Sequence, residues 1–237
     1  MIVWLASYPR SGNTFFRILL NHLYGIKTHS IYDDKFFERS GASTTIGHEL
    51  LPTSIQELDR SEEVFFVKTH ALPSDSKPAV YLVRDGRDSV VSYARYQIEF
   101  VQRRTRLERL KDHFFPQDRF YDTLKDTIEN ERDGRGWGNH VFSWRRDHQG
   151  PMVTVRFEDL VSDPAPQVTN ALETLELPVP PLEGQPPTFE ELHNKWPTFF
   201  RKGKTGGWRE EMPDDLHELF WEIHGDAMGA MGYTRAG

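Results

Sequence analysis

Ile2-Val3-Trp4-Leu5-Ala6-Ser7-Tyr8-Pro9-Arg10-Ser11-Gly12-Asn13-Thr14 is the stretch that decides the fold. Its first five residues are an unbroken apolar run, the pattern of a parallel strand buried on both faces. A polar, tight-turning segment comes next. An amphipathic run over 15–24 follows, with Phe15, Leu19 and Leu23 at helical spacing and Phe16 and Leu20 beside them. Strand, loop and helix in this order gather backbone N–H groups and the positive end of a helix dipole in one place. Such a place binds phosphate or sulfate. Asn13 or Thr14 is the expected helix cap, and Gly25 the expected stop.

Working outward, Val64-Phe65-Phe66-Val67 reads as a second buried strand that runs into Lys68-Thr69-His70. Ala79-Val80-Tyr81-Leu82-Val83 reads as a third, running into Arg84-Asp85, and 152–157 as a fourth. Helices are expected over 88–100, 137–146, 163–175, 189–196 and 214–231, and loops with short helices over 28–62. The expected fold is α/β: a single domain over 1–237, with a central parallel sheet flanked by helices and a P-loop-like anion loop after the first strand. In such sheets ligands sit at the carboxyl ends of the strands. The segment 98–136 is crowded with charge and interrupted by Phe114-Phe115-Pro116 and Phe120-Tyr121. It reads either as a solvated helical insertion or as a helical cap over an acceptor pocket.

Composition narrows the function. The 237 residues carry 37% hydrophobic and 13% aromatic side chains, enough for the core of one such domain. A net charge of −7 argues against a general nucleic-acid binder, whose basic footprint should dominate. A small anion needs only a local cluster of Arg and Lys. The absence of Cys removes disulfides, thiolate metal sites and a Cys nucleophile together. No secretory leader pattern opens the chain, and no apolar stretch approaches the roughly 18–20 residues of a membrane span. A soluble, cytoplasmic protein is the expectation.

The loop does not match the phosphate loop G-x-x-x-x-G-K-[ST] of ATP and GTP enzymes. It has one Gly and no following Lys-Ser/Thr pair, and its cation, Arg10, precedes the Gly. Ser7-Tyr8-Pro9-Arg10-Ser11-Gly12-Asn13-Thr14-Phe15 instead resembles the phosphosulfate loop of the sulfotransferases that use 3′-phosphoadenosine 5′-phosphosulfate (PAPS), typically T-Y-P-K-S-G-T-T-W. Four further segments agree in the family's order. V-K-T-H-A-L-P at 67–73 is similar to its K-T-H-L-P, and Y-L-V-R-D-G-R-D-S-V-V-S-Y at 81–93 to its 3′-phosphate segment. G-N-H-V-F-S-W at 138–144 with R-F-E-D-L at 156–160 is similar to H-V-x-S-W and Y-E-D-L, and R-K-G-K-T-G-G-W-R at 201–209 to R-K-G-x-x-G-x-W-K.

The resemblance implies an enzyme that moves a sulfuryl group from PAPS to a hydroxyl or amine of a small molecule, releasing 3′-phosphoadenosine 5′-phosphate (PAP). Such a nucleotide needs two anion sites. Arg10 and the amides of Ser11, Gly12, Asn13 and Thr14 suit the 5′ end. Arg84 and Ser92, one at a strand end and the other two turns into the next helix, can converge on the 3′-phosphate, joined by Arg201, Lys202 and the Gly203 amide. The family pattern gives Thr14 a phosphate contact and puts Phe15 where a Trp usually stacks on adenine, with Phe189 on the other face. Either ring would equally serve as core. His70 becomes the general base. Lys68 and Arg10 become the cations at the sulfonate and bridging oxygen, with Ser92 also able to restrain a cation there. Arg10 stands where the family has Lys, so it suits charge stabilisation better than proton donation, leaving Lys68 more of the latter role. Lone Arg17 and Arg95 read as solvated. No metal is expected.

Departures are informative. Phe15 and Phe157 replace the usual Trp and Tyr, and the family's K-x-x-x-T-V-x-x-x-E dimer segment is absent after Trp208, so the oligomeric state is open. The loop form is similar to that of bacterial members, including those acting on glycopeptides. Tyr32, Phe36, Phe37, Phe100, Phe114 and Phe120 suit an aromatic, glycopeptide or lipid-like acceptor, or equally a subdomain core. Two other readings stand beside this one: a P-loop-like nucleotide kinase, which requires Mg²⁺ and ATP, and a non-catalytic module binding PAPS or PAP.

Overall fold

The computed structural model describes residues 1–32, 41–101, 113–114, 116–130, 136–182, 184–197, 200 and 205–236. The chain divides into two compact units. The first is Met1–Ser7, Ser11–Arg84 and Arg146–Gly203, and the second is Tyr8–Arg10, Asp85–Arg145 and Lys204–Gly237.

The first unit is built on the run that opens the chain. Strand β1 (Ile2–Ser7) is buried at every position. Helix α1 (Asn13–Tyr24) follows it, then β2 (Thr28–Ser30), α2 (Ser43–Ile46), α3 (Ile55–Leu58), β3 (Phe65–Thr69) and β4 (Ala79–Val83). All of the described strands, including β5 (Met152–Arg156), form one parallel sheet in the order β2-β3-β1-β4-β5. β1 is central, paired through Ala6↔Thr69 on one side and Ala6↔Tyr81 on the other. Full burial on both faces is why β1 and β4 read as continuous apolar runs. The edge strand β5 alternates instead, with Val153 and Val155 buried and Thr154 exposed.

Helices α7 (Phe157–Ser162), α8 (Pro164–Thr174) and α9 (Phe189–Lys195) complete this unit. Its core joins Val3 and Leu5 of β1 to Phe16, Leu19, Leu20 and Leu23 of α1, to Val80 and Leu82 of β4, and to Val168 and Leu172 of α8. Gly25 stops α1 as expected, at φ 65° with its N–H on Asn21 O.

No apolar or alternating pattern marks β2. Thr28, His29 and Ser30 form a three-residue polar edge strand, held by its β3 ladder and by Arg17, whose Nε donates to Thr28 Oγ1 at 2.8 Å. Arg17 is therefore not solvated. It is fully buried, and its Nη2 donates to His48 Nδ1 at 2.9 Å.

The second unit is helical: α4 (Gly86–Tyr96), continued by a π-helical turn (Gln97–Val101), α5 (Pro116–Glu129), α6 (Trp137–Phe142), a 3₁₀ turn (Gly207–Glu210) and α10 (Asp214–Ala230). Much of the expected insertion, 102–112, 115 and 131–135, lies outside the described residues. Arg95 is half-exposed but engaged, donating to Glu211 at 3.1 Å and stacking over the Phe120 ring at 3.6 Å.

The core of this unit has a buried polar centre. His224 lies against Trp137 and Phe220, its Nε2–H donating to Ile128 O at 3.1 Å while Nδ1 accepts from the Gly138 N–H. Both nitrogens are used by a neutral ring, and burial pushes its pKa down to about 4. The sign follows directly. Between pH 6.5 and 4 the unfolded chain binds this proton and the folded chain does not, so stability falls as pH falls through that window. The shift corresponds to about 3 kcal/mol. Denaturant unfolding measured from pH 7 to 4.5 is expected to show this loss, and His224→Gln, weaker at neutral pH, is expected to show a shallower slope. An unchanged slope would remove His224 from the acid response.

Candidate active site

The strand order sets where a ligand can sit. From β1 the chain moves to one side of the sheet, through β2 and β3, and then crosses to β4 and β5 on the other. The carboxyl ends beside β1 are thus the topological switch point, where α/β sheets form their crevice. Those ends carry Ser7 on β1, Lys68 and Thr69 with His70 after β3, and Arg84 after β4.

Gly12 begins the helix that follows β1. It holds φ 97°, and its carbonyl accepts the Phe16 N–H at 3.0 Å. A Cβ at this position would lie 2.7 Å from Phe157 Cδ2, so both backbone and space require glycine. The first turn of α1 presents its amides at this end, as helix starts do. The expected Asn13 or Thr14 cap is not used: no side chain caps α1. Asn13 turns back into the loop, its Nδ2 donating to Leu5 O at 2.8 Å and to Ser7 Oγ at 3.2 Å. Phe15 is buried in the apolar core of the unit.

His70 is fixed at both ends. Its Nδ1 lies 2.7 Å from Ser7 O and 3.3 Å from Ser7 Oγ. A backbone carbonyl only accepts, so in the neutral ring Nδ1 carries the proton and Nε2 the lone pair. The His70 backbone N–H donates to Tyr32 Oη at 2.9 Å, and the Tyr32 ring stacks on the imidazole with centroids 5.5 Å apart. Lys68 is buried, with its ammonium 5.6 Å from the same ring. Sequence reasoning placed Tyr32 only among the acceptor-facing aromatics. Its tie to His70 depends on β2, whose polar residues carry no strand signal. Ser7 carries no sequence signal beyond its place in the loop motif.

Arg84 stacks its guanidinium on Phe157 at 4.5 Å, so one buried ring supports both the Arg and the Gly12 turn. Phe157 thereby has a packing role that its missing hydroxyl does not affect.

In the second unit, Arg10 occupies a left-handed backbone conformation, φ 66°, uncommon for a residue with a Cβ. Its Nε donates to Ser92 Oγ at 3.1 Å, so the two candidates on Arg10 and Ser92 are in contact. Other residues of the 81–93 motif are structural. Arg87 is fully buried, paired with Asp85 at 2.7 Å and stacked on Trp208 at 4.0 Å. Asp88 accepts the backbone N–H groups of Gly206 and Trp208 at 2.8 and 2.9 Å, anchoring the end of the Arg/Lys-rich loop. That partnership joins residues far apart in sequence, and no local pattern announces it. Arg201, Lys202 and Gly203 lie outside the described residues, as do Phe36 and Phe37; the Phe189 side chain is likewise not described. Among the described residues no group of three or more His, Asp or Glu could hold a metal ion, and no helix is long and apolar enough to cross a membrane.

The family model "Sulfotransferase domain" matches residues 2–232. The chain belongs to that family. It is an enzyme of the sulfotransferase class, and the match spans both units. Among its relatives are the flavonol 3-sulfotransferase of Flaveria bidentis, 25% identical over 97% of this chain and 82% of the relative, and sulfotransferase 1E1 of Rattus norvegicus, 27% identical over 92% and 80%. Mouse sulfotransferase SULT7A1 complexed with PAP is similar in fold, with a TM-score of 0.64 at 17% identity over 95% of this chain and 83% of that one. Retinol dehydratase in complex with androsterone and inactive cofactor PAP gives 0.58 at 19% identity over 96% and 80%. The sulfotransferase expectation, and the α/β fold with its parallel sheet, hold.

Proposed function

We propose that this sulfotransferase uses PAPS as its co-substrate, transfers the sulfuryl group in line to a hydroxyl or amine of a small molecule, and uses His70 as the general base. The observation that carries the reading is the hydrogen bond from His70 Nδ1 to Ser7 O, which leaves the lone pair on Nε2 of a ring at the switch point of the sheet. PAP in the solved relatives and the glycine-dependent turn at Gly12 support the nucleotide.

In the proposed step the acceptor oxygen attacks sulfur and its proton passes to His70 Nε2. The bond from sulfur to the bridging oxygen breaks, and PAP leaves with the electron pair. Little covalent work falls to the protein, so positioning and charge stabilisation dominate, as in phosphoryl transfer. Lys68 stabilises negative charge on the departing group. Arg10 shares that role through its place beside Ser11, and Ser92 restrains it. The α1 amides with Thr14 bind the 5′ end, and Arg84, with Arg201, Lys202 and Gly203, binds the 3′-phosphate. Phe15 and Phe189 stay as the adenine-facing residues on the family pattern alone.

The acceptor class is a hydroxylated small molecule with an aromatic, glycopeptide or lipid-like body. The relatives named for flavonols, and the retinol dehydratase solved with androsterone, favour a ring-bearing acceptor. The test is transfer of label from sulfur-radiolabelled PAPS to a panel of phenols, sugars and hydroxylated natural products, with and without Mg²⁺. Magnesium-independent labelling of an acceptor is expected. ATP-dependent, magnesium-dependent transfer would establish the kinase reading instead, and PAP binding with no transfer to any acceptor or to water would establish the binding-module reading. Arg84→Ala is expected to raise the Kd for PAP about tenfold by calorimetry, the loss of one charge-assisted anion contact. An unchanged Kd would remove Arg84 from the nucleotide site.

A further inference from the structure

We infer that Tyr32 is a positioning residue for the base, holding His70 by its backbone and its ring and keeping Lys68 beside it. The inference rests on the reading of His70 as the base.

His70 is the first residue past β3, so the ladder no longer fixes its backbone. Tyr32 replaces that restraint. Its Oη accepts the His70 N–H at 2.9 Å, and the two rings lie within 25° of parallel. Tyr32 is itself tied to the same strand end: Ile31 N–H donates to Lys68 O at 3.3 Å, and Tyr32 N–H donates to Ser30 Oγ at 3.1 Å. The imidazole is thus clamped between Ser7, which fixes the tautomer, and Tyr32, which fixes the plane.

The ring also acts electrostatically. An aromatic face attracts cations, and the Lys68 ammonium sits 5.6 Å from its centroid. When His70 takes the acceptor proton it becomes a second cation against the same ring. Tyr32 therefore favours the charge that develops on the base and offsets part of the repulsion from Lys68. No sequence motif marks this residue, because its partners belong to a different strand.

Two variants separate the hydroxyl from the ring. Tyr32→Phe keeps the stack and removes the acceptor of the His70 N–H. Tyr32→Leu removes both. In the free protein, amide exchange at His70 is expected to accelerate about tenfold in either variant, with Val67 unchanged, as loss of one local hydrogen bond requires. In Tyr32→Leu the nitrogen-15 shifts of the His70 ring are expected to show depletion of the Nδ1–H tautomer. Turnover of PAPS should fall roughly 10- to 100-fold in Tyr32→Leu and less in Tyr32→Phe, with the KM for PAPS unchanged, the cost of a base held about 1 Å from its place. In a His70→Ala background, Tyr32→Leu should cost nothing more.

His70 exchange and ring shifts that match wild type in Tyr32→Leu, or kcat within twofold of it, would overturn the inference while leaving the base assignment standing. Near-normal turnover in His70→Ala would instead overturn the base assignment, whatever Tyr32 does to the ring.

Discussion

His70→Ala is expected to lower kcat by about two to four orders of magnitude, the range that a positioned general base contributes, while PAP binds within a few-fold of its wild-type Kd. The two effects separate because the proposed mechanism gives His70 the acceptor proton, and the α1 turn and Arg84 the nucleotide. Alanine also removes the donor to Ser7 O, which lies in a part-buried position. A carbonyl there can recover a water, so the structural cost is small beside the kinetic one.

His70→Asn offers a stricter test. Its amide can still donate toward Ser7 O, so the turn keeps its partner, but no group with a useful basicity remains. It should be as inactive as alanine. Turnover within tenfold of wild type in His70→Asn would assign the base to another group.

The fold was legible where burial was two-sided. β1, β4 and the apolar start of β3 announce themselves because a parallel strand covered on both faces carries a run of apolar residues, and α1 because its stripe has helical period. β2 was not legible. Its three polar residues are a strand only because β3 offers a free edge and Arg17 reaches Thr28 from α1. A buried arginine at the end of such a reach looks like any surface arginine in sequence. The same limit applies to the candidate site. His70, Lys68, Arg84 and the Gly12 turn could be found because each belongs to a contiguous motif at a strand end. Tyr32, Ser7 and Asp88 act across the sheet or across more than a hundred residues, through contacts that leave no periodicity. Within the segment read for the 3′-phosphate, Arg87 and Asp88 instead serve the fold, Arg87 paired with Asp85 and Asp88 holding the amides of Gly206 and Trp208.

Gly12→Ala is expected to lower stability by roughly 2–4 kcal/mol, the sum of a left-handed backbone cost and an overpacking cost, and to weaken PAP binding by about two orders of magnitude. Backbone and packing both oppose the substitution. At φ 97° an L side chain is strained whatever the surrounding space. The added Cβ would also meet Phe157 Cδ2 at 2.7 Å, so the ring must move or the turn must open. Phe157 is buried, which leaves it little room, and Arg84 rests on the same ring at 4.5 Å. A shift of the ring therefore carries the 3′-phosphate candidate with it. Opening the turn instead misaligns the α1 amides assigned to the 5′ end. Either relaxation damages an anion contact, which is why the affinity should fall further than the stability alone predicts.

Phe157→Leu tells the two causes apart. In the Gly12→Ala/Phe157→Leu double variant the clash is relieved but φ is not, so part of the lost stability should return. Affinity should not return with it, because Arg84 has lost its platform. The measurements are the denaturant midpoint and calorimetric titration of PAP on all three variants. Wild-type values for both in Gly12→Ala would show that the turn tolerates a side chain, and would remove its glycine from the argument for an anion cradle.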